Sequence, residues 1–278
     1  MDYLPVEFCY AVVAALRDPY DLKRSISSRV WNAAIDKQLK NRVNIEIDIG
    51  FQSGSWSYYI VGRRTFKDLQ KINAKHLRIA GIQITNCQQV NQASFAEIYK
   101  IIQFTVPFMS MSRLALMRLD KIPRGQLQQL LVSYRNSPLY SARIDGFQPD
   151  CDYLKGLLEC CTLRDIGFHN LVVCECFRDE IEEFALTNSF KHLAYRPKNY
   201  KLSWSFFKDL FARPLDESQK ECTLEVGVDF HFDELEEFAT DLQIGNAKKT
   251  IEWKRTDGVV VEVRRTMNGD IWINFSRV

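Results

Sequence analysis

Six short strand-like pieces recur through the middle of the chain: HLRIAGI (76–82), RLALMRL (113–119), SARIDGF (141–147), LRDIGFH (163–169), HLAYRP (192–197) and CTLEVGV (222–228). From start to start they lie 37, 28, 22, 29 and 30 residues apart. Segments with helical spacing separate them. SFAEIYKIIQF places Phe95, Ile98, Ile101 and Ile102 on one face, and QLQQLLVSYRNS, DYLKGLLECC, EIEEFALTNS, SFFKDLFARP and FDELEEFATDL behave alike. Strand-plus-helix units of this length, repeated, are the signature of a leucine-rich-repeat-like solenoid. HLRIAGIQITN comes nearest to such a repeat, with Leu77, Ile79 and Ile82 ahead of Asn86. An ordinary wound α/β sheet has the same local elements.

The flanks differ. TIEWKRT, VVVEVRRT and DIWINFSRV alternate apolar with polar residues and meet at Asp257-Gly258 and Asn268-Gly269, both hairpin turn signals. They predict an antiparallel β-meander that covers the open end of the repeats. NIEIDI and WSYYIVG, separated by the turn-like FQSG, predict a hairpin. Before Asn44 the period is helical. Phe8, Val12 and Leu16 form one stripe with Val13 beside them, and Pro5 suits the first turn. RDPYD ends that helix, and Asp18 or Asp21 can cap a second one carrying Leu22, Ile26 and Val30. Trp31, Ile35 and Leu39 continue its pattern. The expected fold is α/β: a helical module over 1–43, irregular leucine-rich-repeat-like α/β repeats over 44–247, and a meander cap over 248–278.

At 278 residues the chain can bury a sizeable core. Its 37 basic and 35 acidic residues nearly cancel, so no long-range field argues for a nucleic-acid or anionic-membrane partner. AVVAAL is far shorter than the ~18 apolar residues of a membrane span, and no basic segment precedes it as in a signal peptide. The expectation is a soluble protein of the cytoplasm, or also of the nucleus, with its eight irregularly spaced cysteines reduced.

The densest reactive cluster is Cys151, Cys160, Cys161, His169, Cys174 and Cys176. Thiolates and imidazole suit zinc. The cluster lacks paired C-x-x-C knuckles, however, and several of its cysteines stand at apolar positions, where thiols pack as small hydrophobes. The four histidines are scattered, and neither phosphate-loop pattern, G-x-G-x-x-G or G-x-x-x-x-G-K-[ST], occurs. Glu234, Glu236 and Glu237 in DELEE read as a solvated helix face. RRTFKDLQK and HLAYRPKNYKLSW interleave basic and aromatic residues as single-strand binders do, but the balanced charge weighs against RNA. No enzyme, metal or cofactor is expected.

The opening segment carries Leu4-Pro5, then Glu7, an aliphatic helix with Val12, Val13 and Leu16, Asp21-Leu22, and Arg29 just before Trp31. In order and spacing it resembles an F-box, and the whole arrangement resembles the expanded F-box families of nematodes. The resemblance implies a non-catalytic substrate receptor of a Skp–cullin–F-box ubiquitin ligase. A Skp-type adaptor would dock on Leu4, Pro5, Phe8, Val12, Leu16, Leu22 and Ile26, and through it a cullin–RING ligase would be reached. Trp31 and Ile35 would pack inside the module.

The repeats would then hold a target protein. Polar strand residues free to meet it are Arg78, Arg118, Arg143, Asp145, Asp165, His169, Tyr195 and Arg196, joined by Trp253 and Trp272. The alternatives are a repeat-based interaction module not engaged with a cullin ligase, and a hydrolase or metal enzyme using the Cys151–Cys176 region.

Overall fold

The helical spacing before Asn44 builds a three-helix module. The computed structural model describes residues 4–16, 19–62, 65–135, 137–147, 150–160, 162–187, 190–213, 221–231, 234–235, 250–266 and 270–277. In it, α1 (Val6–Ala15), α2 (Pro19–Ser25) and α3 (Arg29–Asn41) surround Cys9, Val13, Trp31, Ala34 and Ile35. Tyr10, Val12, Leu22, Ile26, Val30 and Leu39 pack partly against that core. A helix leaves its last carbonyls unbonded. Here the Arg42 Nη2 donates to Ala14 O and Leu16 O, both at 2.6 Å, and ties the end of α1 to the residue after α3. The second helix is shorter than the spacing predicts. It ends at Ser25, and Ile26–Ser28 leave the helical path before α3 starts. Serine side chains compete with the helix for backbone groups, and three of them at 25, 27 and 28 favour a break.

The chain divides into two units, 1–141 with 160–162, and 142–159 with 163–278. After the helical module, the first unit continues as an α/β sheet. β1 (Val43–Gln52) and β2 (Ser55–Ile60) form the expected hairpin, and its two turn residues, Ser53 and Gly54, have φ of +52° and +82°. Positive φ at both positions is what a type I′ hairpin turn requires. α4 (Phe66–Gln70) follows, closed by a capping box between Thr65 and Asp68. β3 (Leu77–Thr85) runs parallel to β1, and β4 (Asn91–Ala93) adds to β2. α5 (Phe95–Thr105) buries Ile98, Ile101 and Ile102, with Ser94 capping its start. β5 (Ser112–Met117) pairs with β3, and α6 (Arg124–Tyr134) follows.

β6 (Leu139–Asp145) leads into the second unit. There α7 (Cys151–Leu158), β7 (Asp165–His169), α8 (Glu175–Thr187), β8 (His192–Arg196), α9 (Trp204–Ala212) and β9 (Glu221–Val226) alternate. β7, β8 and β9 are parallel neighbours. β10 (Thr250–Lys254), β11 (Val259–Arg265) and β12 (Ile271–Arg277) form the meander. Asp257-Gly258 makes its first turn, with Gly258 at φ +80°. The Asn268-Gly269 turn lies outside the described residues, as does most of FDELEEFATDL.

The fold is mixed α/β, and the structure corrects the expected solenoid. In a solenoid each repeat meets only the next one, and its strands form one run of like direction. Here β1 sits between antiparallel β2 and parallel β3. β9 has parallel β8 on one side and antiparallel β12, the last strand of the chain, on the other. The meander therefore continues a sheet by hydrogen bonds along β9. The repeat-like spacing of Leu77, Ile79 and Ile82 has a local cause. In the β1–β3 ladder Ile45 pairs with Ile79 and Glu46 with Gly81, so Ala80 is one extra residue. That bulge turns Ile82 and Ile84 to the same side as Leu77 and Ile79, all of them buried.

Gly50 on β1 shows how tightly the first unit is packed. A Cβ there would overlap the Cys87 carbonyl oxygen and press on the Ser57 hydroxyl, which accepts from Gln89 N at 2.7 Å. Gly50→Ala is expected to cost about 1–3 kcal/mol of stability, as overpacking does. Urea unfolding of the variant beside the parent chain checks it. An equal or higher midpoint would contradict this packing.

Candidate functional site

Helix α1 is apolar on more than one side, and its core uses only part of it. Cys9 and Val13 are fully buried. Leu4, Val6 and Phe8 are 39, 45 and 48% exposed, and Pro5 beside them is exposed too. The Phe8 ring stands edge-on to Trp31 at 6.4 Å, so the buried indole fixes its base. Of the other expected adaptor contacts, Val12, Leu16, Leu22 and Ile26 are half-buried, three of them against the module's own core. Trp31 and Ile35 lie inside it, as expected. Of the predicted stripe, Phe8 at its N-terminal end is the exposed member.

Another side of α1 borders a groove of about 510 Å³, lined by Tyr10, Ala14, Gln38, His76, Arg78 and Phe108 among others. Arg78, expected on a target-binding face, is in fact buried. Its Nη2 donates to Ser110 O at 2.9 Å and its Nε to the same oxygen at 3.2 Å, so it braces the chain ahead of β5. Arg118 is exposed at a left-handed position, φ +57°, at the start of a short 3₁₀ turn. Both belong to the first unit.

The remaining candidates come together in the second unit. Period-two alternation sends Ile166, Phe168, Leu193, Tyr195, Leu224 and Val226 to one side of β7–β9, where they are buried. Phe168 meets Phe177 of α8 at 5.4 Å on that side. Tyr195, expected to face the target, is 2% exposed and stands edge-on to Phe168 at 6.5 Å. Its position in the strand is odd-for-even with the charged residues, so it belongs to the core. Trp253 is buried as well, against Phe211. The opposite side carries Asp165, His169, His192, Arg196 and Glu225, with Gly167 and Ala194 between them.

These side chains pair with one another. Arg196 Nη2 donates to Glu225 Oε2 at 2.6 Å, and its Nε lies 3.4 Å from Asp270 Oδ2. His192 Nδ1 is 3.1 Å from Asp165 Oδ1, and its Nε2 is 3.8 Å from Glu225. Arg143 lies 3.8 Å from Asp145, which also accepts from Asn170 Nδ2 at 2.9 Å. Gly167 gives the His169 ring its room here, because a Cβ would come 2.9 Å from that ring and push it aside. At the far edge Trp272 sits opposite Glu225 in the ladder, with the Arg264 guanidinium 5.0 Å above its ring. Arg143, His169, His192 and Arg196 thus stand among Asp145, Asp165, Glu225 and Asp270, an arrangement suited to hydrogen-bonding a polar surface.

The two histidines are pushed in opposite directions. The Asp165 hydrogen bond, helped by Glu225, raises His192 above the usual imidazole value against its burial. Burial, then Arg143 and Arg196, lower His169. Protonation of His192 therefore contributes stability below about pH 6.5, lost as pH rises through its raised folded value. For His169 the neutral form is favoured, and that contribution is lost as pH falls below 6.5.

Glu225 was legible as the outward residue between Leu224 and Val226, yet only the ladder shows what it holds. Asp270 carried no sequence signal, since it reaches Arg196 only because β12 returns to β9. In the cysteine cluster, Cys160 faces Ser137 O and Leu139 O, while Cys151 and Cys174 meet each other at 2.8 Å. Cys161 and the Cys176 side chain lie outside the described residues, as do Arg63, Arg64, Glu236 and Glu237. Among the described residues no group of three or more His, Cys, Asp or Glu is placed to hold a metal ion, and no helix is long and apolar enough to cross a membrane.

Compared with protein-family models, curated proteins and solved structures, the chain matches none.

An NMR titration of the imidazoles checks the charged face. His192 should titrate above pH 6.5 and His169 below it, and Asp165→Asn should bring His192 down while leaving His169 in place. Equal midpoints for the two rings would contradict the pairing.

Proposed function

We propose that this chain is the substrate-recognition subunit of a Skp–cullin–F-box ubiquitin ligase, acting in the cytoplasm or also the nucleus. The observation that carries the proposal is the exposure of Leu4, Val6 and Phe8 on a helical module whose tryptophan and isoleucine are buried beneath them. Three large apolar side chains partly open within five residues offer a partner apolar anchors. They begin where the Leu-Pro-x-Glu of the F-box resemblance begins. In this reading a Skp-type adaptor takes Leu4, Pro5 and Phe8 as anchors and meets Val12, Leu16, Leu22 and Ile26 at their half-open edges. The charged face of the second unit, with Arg143, Asp145, Asp165, His169 and Arg196, supplies hydrogen bonds to the target protein, and ubiquitin transfer falls to other subunits. The chain is non-catalytic and needs no cofactor.

A second reading, an interaction module not engaged with a cullin ligase, draws on one observation. Val12, Leu22 and Ile26 serve the module's own core, so less apolar surface is left over for an adaptor.

Co-expression with a Skp-type adaptor separates the two. The first reading expects a 1:1 complex that Leu4→Ala with Phe8→Ala weakens at least tenfold, since each truncated anchor costs ~1 kcal/mol or more. Both side chains are substantially exposed, so the double variant keeps its fold, as circular dichroism would register. No complex, or undiminished binding by the folded double variant, overturns the first reading and leaves the second.

A further inference from the structure

Cys151 and Cys174 come from different elements. Cys151 is the first residue of α7, and Cys174 immediately precedes α8, the helix packed beside it. Both side chains are partly exposed, and their sulfurs are 2.8 Å apart. That separation is within ~1 Å of an S–S bond length of ~2.05 Å. The other described cysteines differ. Cys9 and Cys222 are fully buried, Cys160 is aimed at two backbone carbonyls, and Cys87 meets the Thr85 hydroxyl and the Gln89 amide.

We propose that Cys151 and Cys174 are an oxidisable pair that closes to a disulfide when the protein meets a hydroperoxide. One thiolate attacks the peroxide O–O bond, forming a sulfenic acid and releasing hydroxide. The second thiol then attacks that sulfur, the S–O bond breaks, and water leaves. Two thiols and one hydrogen peroxide give one disulfide and two waters; sulfur is oxidised and peroxide oxygen reduced. The pair needs little movement to react, because α7 and α8 already hold the two sulfurs in contact.

The position of the bond gives it a consequence. The loop it closes, 151–174, contains all of β7, and with it Asp165, Gly167 and His169 of the charged face. A cross-link across that loop removes conformations from the unfolded chain and tethers the strand at both ends. The oxidised protein is therefore the more stable form, with the His169 end of the charged face fixed most firmly.

The test uses the full chain carrying Cys176→Ser, so that one tryptic peptide, 165–178, holds Cys174 alone and another, 144–155, holds Cys151. After reduction and then exposure to a few equivalents of hydrogen peroxide, mass spectrometry should find these two peptides joined with the loss of two hydrogens. The thermal midpoint should rise by several degrees, fall back on adding dithiothreitol, and fail to rise in Cys151→Ser or Cys174→Ala. If Cys151 and Cys174 stay open to alkylation after peroxide, are over-oxidised separately, or join other cysteines, the proposal is overturned.

Discussion

The sidedness of the parallel strands in the second unit is the constraint on which its candidate site rests. Successive side chains of a strand point to opposite faces. Once Ile166, Phe168, Leu193, Tyr195, Leu224 and Val226 are sealed on one side, their neighbours have nowhere to go but the other. Fully burying each such aliphatic or aromatic side chain contributes ~1.5–3 kcal/mol, far more than an exposed ion pair. Core formation thus sets the register, and the register sets which charges meet. Tyr195 and Arg196 are adjacent in sequence yet end in different environments for this reason alone.

The charges then arrange themselves around two small residues. Gly167 leaves room for the His169 ring beside Arg143, and Ala194 is its neighbour in the ladder. Arg196 lies within reach of two carboxylates, Glu225 on β9 and Asp270 just before β12. This makes the C-terminal meander part of the face as well as part of the sheet. It also explains the opposite behaviour of the histidines. His192 stands among carboxylates, whereas His169 is lowered first by burial and then by Arg143 and Arg196. A face whose charges are already paired offers a partner directional hydrogen bonds more than net attraction, which accords with a net formal charge of only +2 for the whole chain.

Much of the local structure was legible in the sequence. The hairpin at FQSG, the buried stripe Ile98, Ile101 and Ile102, and the Asp257-Gly258 turn all follow from period and turn chemistry, and the interior place of Trp31 and Ile35 is what the F-box resemblance implied. What period does not carry is which strand pairs with which. The solenoid expectation failed there, because β12 returning to β9 is a long-range event with no local signature. The Ala80 bulge misled in a different way, since an extra residue in β3 imitates a repeat consensus. Arg78 looked available because charged residues rarely bury, and only the Ser110 and Met111 carbonyls explain why it does.

At the other end of the chain the same logic leaves a surplus. Three short helices suffice to bury Trp31, Ile35, Cys9 and Val13, and Leu4, Val6 and Phe8 remain outside that economy. In the proposed function, this surplus is where a Skp-type adaptor sits. Hydrogen–deuterium exchange of the full chain, alone and with the adaptor, tests it most directly. Slowed exchange over residues 4–16 and 22–26, with 165–196 unchanged, is the predicted result. Unchanged exchange over 4–16 in the adaptor's presence would contradict it.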